Sequence, residues 1–332
     1  MSSTTDTGPR SPRRRVSIVT PFYNEAGVVA TYFAGLGEAL REASRDIEFE
    51  FVCVNDGSRD STLAELEAAR PPFGRTIVVD LSRNFGKEAA LSAGLDHATG
   101  DAVIPMDADL QDPPELVPSM ISHWLAGAPV VLAVREDRAS DGWLKRTTSS
   151  AFYSVHNRLA STPVPPNVGD FRLMDRCVVD VVRALPESQR FMKGLFAWTG
   201  FPAVTVPYVR PARAAGRTKW NWTGLFDLAV QGITSFSTAP LRASTMAGAL
   251  FALVAMVYGG YIALRTLVYG VDMPGYASLF AAVVFMGGVQ LLSLGILGEY
   301  VGRIYMESKR RPVYVVRSVT ARASGDDAAR DS

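Results

Sequence analysis

The sequence is poor in cysteine and histidine, and it carries almost no net charge. Its 332 residues include two cysteines and three histidines, and none of these side chains shows the close spacing of a zinc site. Cys53 and Cys177 stand alone, which excludes a disulfide framework and is consistent with a reducing cytosol. A formal net charge of +1 gives no global positive field, so we expect no nucleic-acid partner.

The first fifteen residues, "MSSTTDTGPRSPRRR", have no apolar run. They are polar and basic, whereas a signal peptide needs an apolar stretch after its basic start. The composition therefore predicts a disordered tail over residues 1–15.

From residue 16 to about residue 109, strand patterns alternate with helical patterns. The apolar runs "VSIVTPF", "EFEFVCV", "TIVVDLS" and "DAVIPMD" are separated by segments with helical spacing. This alternation predicts an α/β fold with a mostly parallel sheet covered on both faces. In such sheets ligands bind at the carboxyl ends of the strands. Polar residues follow each strand there, and we expect them to converge on one crevice: Asn24, Glu25, Asp56, Ser82, Arg83, Asp107 and Asp109.

The stretch "IPMDADLQDPPEL" holds three carboxylates, and its residues allow two interpretations. Asp107 and Asp109 at a strand end suit Mg²⁺ or Mn²⁺, since such ions take one or two carboxylates together with phosphate oxygens. Alternatively they form an ordinary turn. Asp112, before two prolines, predicts a cap for the next helix. Asp56 in "VNDGS" is equally open, as a partner for a nucleotide base or as a turn residue.

Two long segments without charge follow the α/β part. Residues 243–264 and 276–298 contain 22 and 23 residues, and at ~1.5 Å per residue each can cross a ~30 Å hydrocarbon core. The short connection between them holds Arg265 as its only basic residue, while both outer flanks are basic. The positive-inside rule then places both flanks in the cytoplasm. Buried core helices are the alternative for these two segments.

Seven motifs lie in a fixed order between residues 16 and 312: "TPFYNE", "VNDGSRDST", "LSRNFGKEAALSAGLDHATGD", "MDADLQDPPE", "GDFRLMDR", "RFMKGLFAWTGF" and "AGRTKWNW…GITSFSTAPLR". Together they resemble the inverting family 2 glycosyltransferases of the polyprenyl-phosphate type. That group includes dolichol-phosphate mannose synthases and bactoprenol glucosyltransferases. The ending "SLGILGEYVGRIYMESKRRPVY" is most similar to the bacterial bactoprenol glucosyltransferases.

The resemblance implies a domain order and a location. It implies a GT-A catalytic domain followed by two membrane spans, in the bacterial inner membrane with the catalytic domain and both termini in the cytoplasm. Residues 220–239 are apolar and aromatic with few charges, which predicts one or two interfacial helices on the membrane. A further soluble helix is the alternative for this segment. Tetramers are implied by the same likeness. The predicted parts are the tail (1–15), the GT-A domain (16–212), the interfacial helices (213–240), the spans (241–265 and 276–303) and a cytoplasmic tail (304–332).

The resemblance also implies a nucleotide-sugar donor, a polyprenyl-phosphate acceptor and roles for single residues. Glucose from UDP-glucose, passed to undecaprenyl phosphate with inversion, is the implied reaction, with Mg²⁺ or Mn²⁺ as cofactor. Asp170 is implied as the general base, and Arg172 as a phosphate contact. Pro21, Tyr23, Glu25 and Asp56 would line the nucleotide pocket, and Asp107, Asp109 and Gln111 would hold the metal and the diphosphate.

A chemical point qualifies the general base. The acceptor is a phosphate monoester with a second pKa of about 6, so at neutral pH it is mostly dianionic and already nucleophilic. The alternative is therefore that Asp170 orients the donor sugar or the metal. The greater need is for cations that bring two anions together. The candidate cations are Lys145, Arg146, Arg172, Arg217 and Lys219, and we expect all of them except Arg172 to bind the lipid phosphate. A solvated helix face is the alternative for Lys145 and Arg146, and ordinary flanking charge is the alternative for Arg217 and Lys219.

The sequence is compatible with other functions. The same reaction could use GDP-mannose, UDP-galactose, a UDP-N-acetylhexosamine or UDP-aminoarabinose, because pocket shape decides the sugar. A non-catalytic membrane scaffold that has kept the fold is an alternative from another class. A processive polysaccharide synthase is disfavoured, because "ESQRFMKG" shows no Q-x-x-R-W pattern and two spans are too few for a polymer channel.

Overall fold

The computed structural model describes residues 13–71, 73–135, 168–188, 190, 192–208, 239–269 and 275–323. These residues fall into two compact units. The first is an α/β unit formed by the described residues up to 208 together with 311–323. The second is a helical unit within residues 239–310.

The described strands alternate with short helices in the first half of the chain. The strands are β1 (Arg15–Phe22), β2 (Glu48–Asn55), β3 (Arg75–Leu81), β4 (Ala102–Pro105), β5 (Val130–Arg135), β6 (Val168–Asp175), β7 (Ala203–Tyr208) and β8 (Val316–Ala323). The helices are α1 (Val28–Ala39), α2 (Thr62–Ala68), α3 (Lys87–His97), α4 (Val117–Leu125), α5 (Arg176–Ala184), α6 (Met192–Trp198), α7 (Ala239–Tyr269) and α8 (Tyr276–Ser308).

All the described strands belong to one sheet, in the order β7-β5-β6-β4-β1-β2-β3-β8. The pairs β1–β2, β1–β4, β2–β3 and β5–β7 are parallel, which confirms the predicted mostly parallel sheet. Strand β6 runs antiparallel to β4, with Val103 opposite Met174. The beginning of β6 therefore lies at the same edge of the sheet as the carboxyl ends of β1, β2 and β4. That edge is where the sequence predicts the ligand crevice.

Aromatic side chains fill the core between α1 and the sheet. Tyr32 packs edge-on against Phe22 and against Phe33, with ring centroids 5.4 and 5.3 Å apart. Its buried hydroxyl group is 2.5 Å from Thr20 Oγ1, so the polar atom of this core tyrosine is satisfied. The geometry fixes α1 on β1 and so fixes the loop that joins them.

Helix α3 packs closely against β1 and β2. A Cβ on Gly94 would overlap Val19 Cγ1 and would lie 3.3 Å from Val54 Cγ2. Only a residue without a side chain allows this approach. The close packing sets the position of the whole helix, including its first residue, Lys87, at the ligand edge.

A salt-bridge network ties the opposite edge of the sheet together. Glu50 is fully buried and accepts hydrogen bonds from Ser17 Oγ at 2.6 Å and from Thr99 N at 2.7 Å. It also forms an ion pair with Arg75. Burial alone would raise the pKa of Glu50, but these hydrogen bonds outweigh it and lower the pKa below its ordinary value. The buried carboxylate is thus kept charged and paired.

The chain returns to the sheet after the second long helix. Strand β8 pairs antiparallel with β3, so residues 316–323 are part of the sheet rather than of a tail as the sequence predicts. Arg317 lies 3.2 Å from Asp80, a buried carboxylate that also accepts a 2.7 Å hydrogen bond from Asn55. At the other end of the chain, Arg15 already belongs to β1 and not to the predicted tail.

The second unit consists of α7 and α8, which have 31 and 33 residues. Both are long and apolar enough to cross a membrane, over Ala243–Tyr269 and Phe285–Ser308. Each helix extends beyond the predicted spans 241–265 and 276–303. The rings of Phe251 and Phe285 pack edge-on, with centroids 5.5 Å apart. The predicted interfacial helices, 213–240, lie outside the described residues except for their last two positions.

Candidate active site

A cavity of about 340 Å³ opens at the carboxyl ends of the central strands. Four of the polar residues that the sequence predicts to converge there, Glu25, Asp56, Asp107 and Asp109, do line it. A larger surface groove of about 830 Å³ lies between α1 and the residues just after α2, but it contains none of the predicted site residues. The residues that line the cavity are Pro21, Phe22, Tyr23, Glu25, Asp56, Asn84, Gly86, Lys87, Asp107, Ala108 and Asp109.

The loop after β1 is held by the loop after β2. Asn24, which adopts a positive φ of 52°, accepts a 2.9 Å hydrogen bond from Arg59 N through its side chain. Its own backbone N–H donates to Ser58 Oγ at 3.0 Å, and Glu25 N donates to Thr62 Oγ1 at 2.9 Å. The two loops therefore form one wall of the cavity. Tyr23 remains 45% exposed on that wall, available for stacking against a ligand ring.

Asp56 organises a third loop. Its carboxylate accepts hydrogen bonds from Phe85 N at 2.7 Å and from Gly86 N at 3.0 Å. Burial raises the pKa of Asp56, and these two bonds oppose the rise. Gly57 follows with φ 63°, and a Cβ there would overlap the backbone of Arg83, so this position requires glycine. Asp56 therefore holds the start of α3 in place, whether or not it also contacts a base.

Asp107 and Asp170 come together through Lys87. Asp107 follows β4, Asp170 lies on β6, and Lys87 is the first residue of α3. The Lys87 ammonium nitrogen is 2.6 Å from Asp107 Oδ1 and 3.0 Å from Asp170 Oδ2. Burial opposes the positive charge, but the two carboxylates outweigh it and raise the pKa of Lys87 above its usual value. The structure thus joins three charged groups that are far apart in sequence.

The surroundings of Asp170 are largely closed to solvent. Its side chain is 13% exposed, and Oδ1 is buried without a hydrogen-bond partner among the described residues. Burial alone would raise the pKa of Asp170, but Lys87 and Lys193 outweigh it and lower the pKa below its usual range. The lowered pKa keeps Asp170 as a carboxylate, although Asp170 does not itself line the cavity.

Arg172 and Glu88 flank Asp170. Arg172 is 5% exposed, lies 4.5 Å above the ring of Phe196 and donates a 2.7 Å hydrogen bond to its neighbour Gly169 O. Burial lowers the pKa of Arg172 to about 10, and Asp170 opposes this. Arg172 does not line the cavity, so its phosphate contact stays a prediction.

Glu88 accepts a 2.9 Å hydrogen bond from Met192 N, and burial together with the Asp170 charge raises the pKa of Glu88 to about 7.

The turn after β4 carries the remaining predicted metal and diphosphate residues, of which Asp109 lines the cavity and the buried Gln111 does not. Leu110 has a positive φ of 53°, which is uncommon for a residue with a branched side chain and sharply bends the chain. Gln111 N donates to Asp109 Oδ1 at 3.2 Å, and the buried Gln111 Nε2 has no partner among the described residues.

Asp112 does not cap the next helix as the sequence predicts, because Pro113 takes the cap position. It is buried instead, and Tyr208 donates a 3.3 Å hydrogen bond to it.

The donor set fits a hard divalent ion that takes part of its coordination from a ligand. Among the described residues, no group of three or more His, Cys, Asp and Glu side chains could hold a metal alone. Asp107 and Asp109 supply two carboxylates on the cavity wall, which is the number that Mg²⁺ uses when phosphate oxygens and water complete its shell.

The model of the family described as glycosyl transferase family 2 matches residues 17–183, half of the chain. This match contains most of β1, all of β2 to β6 and every charged residue of the cavity.

The chain belongs to glycosyl transferase family 2.

A second model, described as the GtrB C-terminal hairpin, matches residues 239–304, which contain α7 and most of α8. The α/β sheet with its acidic strand ends is thus the GT-A fold that the resemblance implies.

Several curated relatives match over nearly the whole chain. An uncharacterized glycosyltransferase of Synechocystis sp. is 49% identical over 301 residues, covering 91% of this chain and 94% of the relative. The prophage bactoprenol glucosyl transferase homolog of Escherichia coli K12 is 46% identical, covering 92% and 99%. The bactoprenol glucosyl transferase of Shigella phage SfV is also 46% identical, covering 92% and 98%. Among solved structures, a mannosyltransferase from Pyrobaculum calidifontis with GDP-Man and Mn²⁺ matches at 18% identity and a TM-score of 0.44, covering 85% and 87%.

Two charged residues of this family 2 site were not predicted from the sequence. Lys87 and Glu88 lie in "NFGKEAAL", at the point where a loop after β3 becomes a helix. A charged pair at the carboxyl edge of a parallel sheet is the signal that could have identified them. The four predicted lipid-phosphate residues, Lys145, Arg146, Arg217 and Lys219, lie outside the described residues.

Proposed function

We propose that the protein transfers glucose from UDP-glucose to undecaprenyl phosphate with inversion, giving a polyprenyl-phosphate sugar and UDP. The observation that carries this proposal is the 46% identity to bactoprenol glucosyl transferases over 92% of this chain. The match extends through both long helices, which fits an acceptor that lies in a membrane. The acidic cavity at the strand ends supports a phosphate-bearing donor that is bound through a cation.

The proposed reaction exchanges one bond at the anomeric carbon. An oxygen of the acceptor phosphate attacks that carbon, and the bond to the donor diphosphate breaks, with its electron pair leaving on the diphosphate oxygen. Attack from the opposite face inverts the configuration, so an α-linked donor gives a β-linked product. The acceptor phosphate is mostly dianionic at neutral pH and needs no strong base. We therefore assign Asp170 an orienting role toward the donor sugar or the cations around it, supported by its ionised state and its ion pair with Lys87.

We assign Asp107 and Asp109 to a divalent ion, and Gln111 to the diphosphate beside it. Mg²⁺ or Mn²⁺ there would neutralise the charge that develops on the leaving UDP. Pro21, Tyr23, Glu25 and Asp56 form the nucleotide wall, which is supported by their position on the cavity. The proposed contacts of the lipid phosphate are Lys145, Arg146, Arg217 and Lys219. Arg172 is proposed to contact phosphate as well.

We further propose that α7 and α8 span the bacterial inner membrane and that the α/β unit and both termini lie in the cytoplasm. The support is the distribution of basic residues, which cluster outside the two helices and are sparse between them. The protein would work as a homo-oligomer, a tetramer by family likeness. GDP-mannose, UDP-galactose, a UDP-N-acetylhexosamine and UDP-aminoarabinose are the competing donors, and a non-catalytic scaffold is the competing role.

A donor screen tests the proposal. The detergent-solubilised full-length protein is mixed with undecaprenyl phosphate, Mn²⁺ and one nucleotide sugar at a time, and the released nucleotide and the mass of the lipid product are measured. We expect UDP release and a hexose-bearing lipid with UDP-glucose. If another nucleotide sugar is the productive donor, the sugar in the proposal changes but the transfer to undecaprenyl phosphate is kept. No nucleotide release with any of the donors would favour the scaffold.

A further inference from the structure

The ammonium group of Lys87 lies between the proposed metal ligand Asp107 and the buried Asp170, in contact with both. Its position is set by the fold. Lys87 begins α3 directly after Gly86, whose φ of 94° lies in the region that favours glycine. The backbone N–H of Gly86 donates a hydrogen bond to the Asp56 carboxylate. The packing of Gly94 against β1 fixes the rest of the helix. The lysine is thus delivered to the two carboxylates by a rigid element.

The charges that face Lys87 come from several elements. Asp107 follows β4, Asp170 lies on β6, Glu88 is the next residue of α3, and Lys193 of α6 acts on Asp170 and Glu88. Two carboxylates brought this close would repel each other without a cation between them. Lys87 supplies that cation when no other ion is present.

We propose that Lys87 is a positioning residue that competes with the divalent ion for Asp107 and thereby makes tight metal binding depend on the donor. This inference rests on the proposed function, since it takes Asp107 as a metal ligand. An ion that arrives alone must displace the ammonium group from one carboxylate and then lies near a positive charge. An ion that arrives with a nucleoside diphosphate brings two or more negative charges, which offset that repulsion. Lys87 keeps its second partner, Asp170, in both cases.

The test measures binding of Mn²⁺ rather than turnover. Free Mn²⁺ is followed by electron paramagnetic resonance during titration of the detergent-solubilised full-length protein, with and without UDP. Without UDP, Lys87→Met is expected to bind Mn²⁺ about tenfold more tightly than the wild type, because a neutral side chain leaves Asp107 to the ion. The factor by which UDP strengthens Mn²⁺ binding should fall correspondingly.

Two variants serve as controls. Lys87→Arg keeps the charge, so its Mn²⁺ affinity should stay within about twofold of the wild-type value. Lys193→Met removes a positive charge from the same surroundings but not from Asp107, so its effect should stay below about threefold. If thermal unfolding shows that Lys87→Met does not fold, Lys87→Gln takes its place, because its amide group can still contact both carboxylates without a charge.

The outcomes separate this inference from the proposed function. Equal or weaker Mn²⁺ binding by the neutral variants, in a protein whose wild type binds Mn²⁺, overturns the competition at Asp107 and leaves the proposed function intact. An unchanged effect of UDP on Mn²⁺ affinity in Lys87→Met overturns it as well. Absence of Mn²⁺ binding in every variant, with and without UDP, overturns the metal role of Asp107 itself and the inference with it.

Discussion

The hydroxyl group of Tyr314 donates a 2.6 Å hydrogen bond to Asp96, across 218 residues of sequence. Asp96 belongs to α3, the helix whose first residue is Lys87, and it also contacts Arg183 Nε at 3.1 Å. The segment that follows the two long helices therefore returns to the α/β unit at two places, α3 and β3. This return fixes one end of the helix whose other end reaches the cavity.

Removing that hydrogen bond should destabilise the α/β unit. We expect Tyr314→Phe to lower the free energy of unfolding by about 1 kcal/mol, because Asp96 is partly buried and keeps Arg183 as a partner. Thermal unfolding of the detergent-solubilised protein measures the change. Tyr305→Phe is the matched control, since Tyr305 is 60% exposed, and its melting temperature should equal that of the wild type. Equal melting temperatures for both variants would contradict the role of Tyr314.

The two aspartates of the site should respond differently to substitution. Asp109→Ala is expected to lower transfer by roughly 100-fold or more, because the leaving diphosphate loses stabilisation of its charge. Asp170→Asn should lower transfer by a smaller factor. A general base would contribute roughly 10²–10⁴-fold, but the acceptor phosphate is already ionised and does not need one. Release of UDP measures both, and membrane insertion of each variant is the control. Near-normal turnover in Asp109→Ala would refute the metal assignment, and equal, complete loss in both variants would contradict the view that the acceptor needs no base.

Glu88 should make stability depend on pH near neutrality. Its pKa in the folded chain is raised from 4.5 to about 7, so the fold favours the protonated carboxyl group. The stabilising contribution is complete below about pH 4.5 and is lost as the pH rises through about 7. Glu88→Gln imitates the protonated form and can still accept the hydrogen bond from Met192 N.

The variant should therefore be more stable than the wild type at pH 8, and the difference should be small at pH 5. Melting temperatures across this range, measured with a chelator present, give the comparison. Parallel pH profiles for the two proteins would show that Glu88 titrates normally. Glu187→Gln is the control, because Glu187 is exposed to solvent.

The sequence predicts the central sheet and its ligand edge because apolar runs and polar strand ends are local signals. β1 to β4 come from such runs, and the convergence of Glu25, Asp56 and Asp107 follows from parallel topology alone. Strand β8 is different. It reads "VRSVTARA", with two valines in eight residues, and forms a sheet edge whose partner lies more than 200 residues away. A pairing of that kind leaves no periodic apolar signal.

The details of the site depend on contacts that the sequence does not contain. Two prolines after Asp112 favour a cap, but the fold buries this residue and gives it Tyr208 as a hydrogen-bond donor from β7. In the sequence, Lys87 is only a polar residue at the start of a helix. Its contacts with Asp107 and Asp170 form because the fold places β4 and β6 side by side. Both cases are tertiary contacts that override a local preference.

The close packing of α3 on the sheet gives the last prediction. A Cβ at residue 94 overlaps Val19 Cγ1, and neither the strand nor the helix can move without disturbing buried neighbours. We expect Gly94→Ala to cost about 1–3 kcal/mol of unfolding free energy. Helix α3 should also shift away from β1 and carry Lys87 away from its two carboxylates. Transfer should then fall even at temperatures where the variant is fully folded.

Gly248→Ala in α7 is the matched control, because a Cβ there meets nothing within 4 Å and alanine favours the helix. Its activity and melting temperature should equal or exceed those of the wild type. Measuring melting temperature and UDP release for both variants separates a stability loss from a displaced site. If Gly94→Ala lost stability but kept full turnover when folded, the position of Lys87 would not depend on this contact, and the rigidity of its delivery would rest on Asp56 and Gly86 alone.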